Sequence, residues 1–313
     1  MQQLTIDNLQ AYAKGCAILG SGGGGDVRYR QYLVAGALKE YGPVSIINEV
    51  EPEDLIVPVA FLGAPLVSKE KHFTLQSFEA VIQRIEKYYG KKPKALMPAE
   101  IGGGNGLTPF CIAGKLGLPV FDADLIGRAF PTIKMTAAYL AGFSPTPVFL
   151  ADALGQTVVI ESTIDSVERL VRASAVAMGS QCAIATYIMK GSQISLGSVK
   201  GSVSGAFSTS FHGISLGKDI DILDVISSIE GGFLKGRVIL EGGIEIFFQN
   251  EYLLVKREGE ILGKSPDIIC LLEKGVPVGT EELRFGMTMD LQLFEAPSVW
   301  KTPHGLKLAE EVL

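Results

Sequence analysis

Residues Lys94–Pro131 read KALMPAEIGGGNGLTPFCIAGKLGLPVFDADLIGRAFP. Lys94–Ala99 is a short apolar run bounded by a charge on each side, which predicts a buried strand. Glycines interrupt it, Leu107–Leu116 resumes with helical character, and LPVF (Leu118–Phe121) predicts a second strand. Strand, helix and strand in so few residues imply a parallel pair joined by a right-handed crossover. Each strand runs into a loop of special composition, EIGGGNGLTP (Glu100–Pro109) and DADLIGRAFP (Asp122–Pro131).

The same alternation extends upstream. VSIIN (Val44–Asn48) and LIVPVAFL (Leu55–Leu62) predict strands, and Phe73–Tyr89 predicts an amphipathic helix. Ile6–Leu19 reads as a helix capped by Thr5, and Val27–Lys39 as a second one capped by Asp26. GSGGGGD (Gly20–Asp26) lies between these two. Downstream, a helix is expected over Thr132–Ala141 and a hairpin over Pro147–Asp152 and Thr157–Ser162. A long helix is expected from Asp165 to about Lys190, with a further helical passage to Ile229. The expected fold is α/β, with a mostly parallel sheet in an N-terminal domain, 1–162. Residues 163–313 would supply a helical connection and a β-rich domain from about residue 231.

Composition narrows the function classes. Lys+Arg number 28 against 34 Asp+Glu, a net charge of −6, and no basic stripe is present. Nucleic acid and anionic membrane are therefore not expected partners, and a small-molecule substrate is. The hydrophobic share is 47% and the charged share 20%, which excludes a disordered chain and points to a homo-oligomer with a buried face. Cys16, Cys111, Cys182 and Cys270 form no CxxC pair and read as small core residues in a reducing cytoplasm. MQQLTIDNLQ lacks the basic and apolar regions of a signal peptide. Glycine is unusually frequent, 37 of 313 residues, and it clusters.

Ligands of open parallel sheets bind beyond the carboxyl ends of the strands. With the strands parallel, GAPLVSKEK (Gly63–Lys71), EIGGGN (Glu100–Asn105) and DADLIGR (Asp122–Arg128) share that edge. Together they bring Glu70, Lys71, Glu100, Asn105, Asp122, Asp124 and Arg128 to one place. Gly102, Gly103 and Gly104 would let backbone N–H groups approach a ligand, although a plain β–α turn uses the same residues. Gly22, Gly23, Gly24 and Gly25 could hold an anion such as a substrate carboxylate, or form a tight helix–helix turn. The segment has no GK[ST] and follows a helix, so it is no Walker loop and no nucleotide is expected. Asp122 and Asp124, two apart on an extended strand, would face one way and could share a water or a divalent cation. The alternative is a capping Asp with an internal Asp–Arg pair. No HExxH, HxH or GxSxG occurs, and His72, His212 and His304 are scattered.

At these loops the chain resembles the S-methylthiohydantoin desulfurase-like family, associated with hydantoinases and oxoprolinases. The resemblance rests on GCAILGSGGGGD (Gly15–Asp26), GAPLVSKEK, EIGGGN and LPVFDADLIGRAFP (Leu118–Pro131). FQNE (Phe248–Glu251), PDII (Pro266–Ile269) and LRFG (Leu283–Gly286) match more weakly. It implies an α/β-plus-β architecture and hydrolytic removal of sulfur from a thiohydantoin-type ring. Within such a reaction Asp122 or Asp124 would act as general base or metal ligand, and Glu100 as a second acid/base. Asn105 and the Gly102–Gly104 N–H groups would stabilise negative charge, with Arg128 and Lys71 orienting the substrate. A non-catalytic ligand-binding or regulatory subunit of a hydantoinase-type assembly is the rival reading. A nucleotide-dependent phosphoryl transferase is a third, disfavoured by the missing Walker lysine.

Overall fold

Four apolar segments pair in parallel, and most of their residues are buried, in keeping with parallel strands. After an N-terminal strand β1 (Gln2–Leu4), they are β2 (Val44–Ile47), β3 (Leu55–Gly63), β4 (Ala95–Pro98) and β5 (Val120–Phe121). Their spatial order is β2-β5-β4-β3. The computed structural model describes residues 2–63, 74–208, 211–230 and 233–313. Helices α1 (Leu9–Leu19), α2 (Val27–Tyr41), α3 (Leu75–Tyr89) and α4 (Gly104–Leu116) come from this half of the chain. β3 faces two apolar cores: Val57 and Val59 meet the helices α1–α4, while Ile56 and Ala60 pack into the opposite layer. Asp26 caps α2 by accepting the Tyr29 N–H at 3.0 Å.

The sheet is mixed, not mostly parallel. β1 joins β2 antiparallel, the short strand β6 (Ala123–Asp124) pairs outside this sheet, and the hairpin β7 (Val148–Ala151) and β8 (Thr157–Ile160) sits at the other edge. Between that hairpin and β3 lies β9 (Gln181–Ala185), antiparallel to both β3 and β7. The expected helix to Lys190 therefore stops early. Helix Ile164–Ala177 ends, the chain reverses at Gly179 and Ser180 with φ of 80° and 63°, and QCAIA enters the sheet. All five of its residues are buried, and a fully buried run carries no period that separates strand from helix. The helix expected over Thr132–Ala141 shrinks to Ala137–Leu140, begun by the Thr136 side chain.

The second sheet is antiparallel and eight-stranded. Its longest strand, Ile214–Glu230, replaces the helical passage expected there. Three register breaks, between Ser215 and Gly217, Gly217 and Ile220, and Ile222 and Asp224, disturb the two-residue alternation that would reveal it. The halves are joined by Ile18 of α1, which packs on Ile268, Cys270, Leu272 and Phe294, and by Trp300, whose indole N–H donates to Ile126 O at 2.7 Å. No described helix is long and apolar enough to cross a membrane.

Candidate functional site

Two glycine-rich loops meet backbone to backbone. The N–H groups of Gly103, Gly104 and Asn105 donate to Cys16 O, Gly25 O and Gly24 O at 2.7, 2.9 and 3.0 Å. Such stitching leaves no room for side chains. Gly24 has φ +76° and a Cβ there would lie 2.2 Å from Gly102 O; Gly103 has φ +69° and its Cβ would meet Gly23 O at 2.3 Å. The charge-stabilising role expected of the Gly103 and Gly104 amides is corrected by this geometry, because Gly103 donates to Cys16 in α1 and Gly104 to the other loop. Gly24 and Gly25, in contrast, line a cavity, and among the described residues their N–H groups have no protein acceptor.

That cavity measures about 140 Å³, close to the roughly 150 Å³ that accommodates a benzene-sized ring. Its walls include Gly23–Gly25, Phe61, Glu100, Asn105, Phe130 and Glu251. Asn105 stands in the first turn of α4 and is strapped to the end of β3, accepting the Phe61 N–H at 2.8 Å. Its Nδ2 donates to Glu100 Oε1 at 2.7 Å, which aims the carboxyl. Burial pushes the Glu100 carboxyl up to about 7; hydrogen bonds from Asn105 and the Phe130 backbone oppose the shift, and the Asp124 charge adds to it. A carboxyl poised near neutrality can take up and return a proton. A smaller apolar chamber, lined by Leu125, Ile184 and Tyr187 among others, continues behind Glu100 and Phe130.

Asp122, Asp124 and Arg128 do not line this cavity. The chain leaves the large sheet at Asp122, and Ala123–Asp124 pairs instead with Val199–Lys200. The two aspartates are thus not on one extended strand and do not converge. Asp122 Oδ1 accepts the Ser204 N–H at 2.7 Å. Asp124 is fully buried, and its Oδ2 accepts the N–H groups of Ile101, Ile126 and Gly127 at 2.8, 3.1 and 2.7 Å. It braces both strand-end loops. Burial lifts its carboxyl to about 6 against those hydrogen bonds. Arg128 is also fully buried; its Nε donates to Ala129 O and its Nη1 to Asp267 O, each at 2.9 Å, and it stacks on Phe130. Burial lowers it to about 10, while Glu251, Asp267 and Glu100 act the other way.

Of the other expected residues, Gly22 faces a second cavity on the far side of the loop, and Glu70 and Lys71 lie outside the described residues. Among the described residues no three His, Cys, Asp or Glu side chains stand together at metal-binding spacing. Sequence reasoning missed Glu251, Arg30 and Arg172, which all line the cavity. Glu251 closes the FQNE motif, and a signal was present: an acid opening the apolar run YLLV. Arg30 falls on the buried stripe of α2 with Val34, Ala37 and Leu38, where a cation is out of place unless it serves something.

The chain matches two family models in succession. Residues 7–162 match the S-Me-THD-like N-terminal domain, and residues 212–311 the S-Me-THD-like C-terminal domain. A crystal structure of a protein from Chromobacterium violaceum superposes with a TM-score of 0.84 at 22% identity, covering 100% of this chain and 96% of that one. That likeness shows a shared fold. Among curated proteins, none matches the chain.

Proposed function

Because this chain belongs to the S-Me-THD-like family, we propose that it hydrolyses an S-methylthiohydantoin-type ring, with Glu100 as the proton-transferring group. The observation that carries this reading is a neutral-range carboxyl, aimed by Asn105, in the wall of a cavity of ring size. Water oxygen bonds to the ring carbon that bears the S-methyl group, and Glu100 takes the water proton. Negative charge builds on the ring nitrogen, within reach of the Gly24 and Gly25 N–H groups. The ring nitrogen takes the remaining proton of the new hydroxyl, the oxygen's electron pair closes to a carbonyl as the C–S bond breaks, and Glu100 returns its proton to the departing sulfur, so that methanethiol leaves a ring amide behind. Phe61 and Phe130 supply apolar walls that exclude competing water. Four buried free thiols are in keeping with action in a reducing cytoplasm.

The test is incubation of the purified protein with S-methylthiohydantoin, following methanethiol and hydantoin together and measuring bound metal in the same sample. Equal release of the two products is expected. Absence of both, with and without added divalent metals, overturns the assignment.

A further inference from the structure

Glu251 has no part in the proton transfer described above, yet its setting is the more unusual. It opens the strand Glu251–Arg257 and is 3% exposed. Backbone hydrogen bonds hold that strand end against the glycine-rich loop: Tyr252 N–H to Ser21 O at 2.7 Å and Thr280 N–H to Gly22 O at 2.9 Å. The carboxyl consequently lies over Gly23, where a Cβ would come 2.3 Å from Oε1. Its Oε2 is buried and has no hydrogen-bond partner among the described residues. A polar atom so placed in a cavity wall lacks a partner that a ligand can supply.

The charged and titratable groups around it are Glu100 beyond β4, Arg128, Arg172, and Asp26, Tyr29, Arg30 and Glu281 across the cavity. Arg128 and Arg172 attract the carboxyl without forming an ion pair with it, while burial and Glu100 act against its charge. Burying an unpaired carboxylate beside a second acid is costly, so burial first and Glu100 second strengthen the carboxyl's hold on its proton. A protonated carboxyl carries one O–H donor and one carbonyl acceptor side by side. That pattern is complementary to the N–H and C=O of a cis amide, the edge shared by lactams and hydantoins. A carboxylate would instead repel the carbonyl.

We propose that Glu251 reads the ring amide of the substrate, its carboxyl making paired hydrogen bonds to the N–H/C=O edge and so selecting neutral cyclic amides over anions. This deepens, and rests on, the reading of the cavity as a site for a hydantoin-type ring.

The probe is 2-pyrrolidone, a five-membered lactam with the amide edge, no sulfur and no proton that titrates in the working range. Its binding is followed by ligand-observed NMR, which separates recognition from turnover. The wild type should bind it at mildly acidic pH and lose affinity, by up to about tenfold per pH unit, as pH rises through the raised ionisation of Glu251. N-methyl-2-pyrrolidone, with the donor blocked, should bind at least about tenfold more weakly. Glu251→Gln keeps a donor and an acceptor side by side, so it should bind within about threefold of wild type and lose the pH dependence. Glu251→Leu should lose at least about tenfold at an unchanged melting temperature. If the leucine variant does not fold, the pH profile of Glu251→Gln decides between the same alternatives: flat supports the assignment, unchanged from wild type overturns it. Failure of the wild type to bind 2-pyrrolidone also overturns it. The expected binding pattern in a protein that releases no methanethiol supports this assignment and counts against hydrolysis alone.

Discussion

The loops after β4 and β5 start from the same position, at the carboxyl ends of adjacent parallel strands, and each carries an acid that burial has raised. They do different work. Glu100 lines the cavity and is steered by one side-chain amide, Asn105, and one backbone N–H, that of Phe130. Asp124 turns inward, and one of its oxygens accepts three backbone N–H groups. The difference lies in what occupies the lone pairs. An acid with three backbone donors on one oxygen braces a fold; an acid held by a side-chain amide and one backbone N–H beside a cavity can exchange a proton with a ligand. A strand end is therefore a suitable place for chemistry without being a guarantee of it.

Substitution at the two acids breaks or sharpens this comparison. Glu100→Gln keeps the shape and the Asn105 contact but cannot cycle a proton. Thiol release should fall by about 10²–10⁴-fold, with folding intact. In the wild type the base form is the active one, so the rate of thiol release should climb as pH rises through about 7 and then level off. A quarter of wild-type turnover in this variant would erase the distinction drawn between the two loops.

Asp124→Ala should act on the fold. Three buried N–H groups lose their acceptor, and denaturation should report a loss of about 4–5 kcal/mol, while turnover per folded molecule stays within a few-fold. The two acids also share a pH signature. Both have folded pKa values above their ordinary ones, so the stability they contribute is complete in acid and is lost as pH rises through about 6 for Asp124 and about 7 for Glu100. Melting temperature against pH should flatten in Glu100→Gln over the window between about 4.5 and 7.

Smaller effects test the joint between the loops. Gly103→Ala places a Cβ against Gly23 O at a positive φ, and should cost about 3 kcal/mol of stability. Asp122→Ala removes one bond, to the Ser204 N–H, and should cost about 1 kcal/mol with turnover unaffected. A larger effect of Asp122 on turnover than on stability would return that aspartate to the chemistry.

Much of the N-terminal half was legible because its signals are local. Asp26 before an apolar-periodic run is a helix start, and Val44–Ile47, Leu55–Gly63 and Ala95–Pro98 are apolar runs between turns. Glycine clustering told where the backbone approaches itself, though the approach is loop to loop as well as loop to cavity. Gln181–Ala185 and Ile214–Glu230 were not legible: one is buried on both faces and the other is broken by bulges, so neither keeps a readable period. The side of the loop that Asp124 faces was equally hidden, since it depends on the chain changing sheets at Asp122.

What the amino-acid order alone determined is the set of segments, the glycines that two crossing backbones require, and the family signature spread along the chain. What only the tertiary structure decided is the meeting of Glu100 with Glu251 in one wall, and the raised proton affinity that burial gives both. These residues lie far apart in sequence, and their proximity depends on Tyr252 and Thr280 bonding to Ser21 and Gly22. A carboxyl's affinity for its proton is set by the water and charges around it, and those are fixed only once distant strands have packed together.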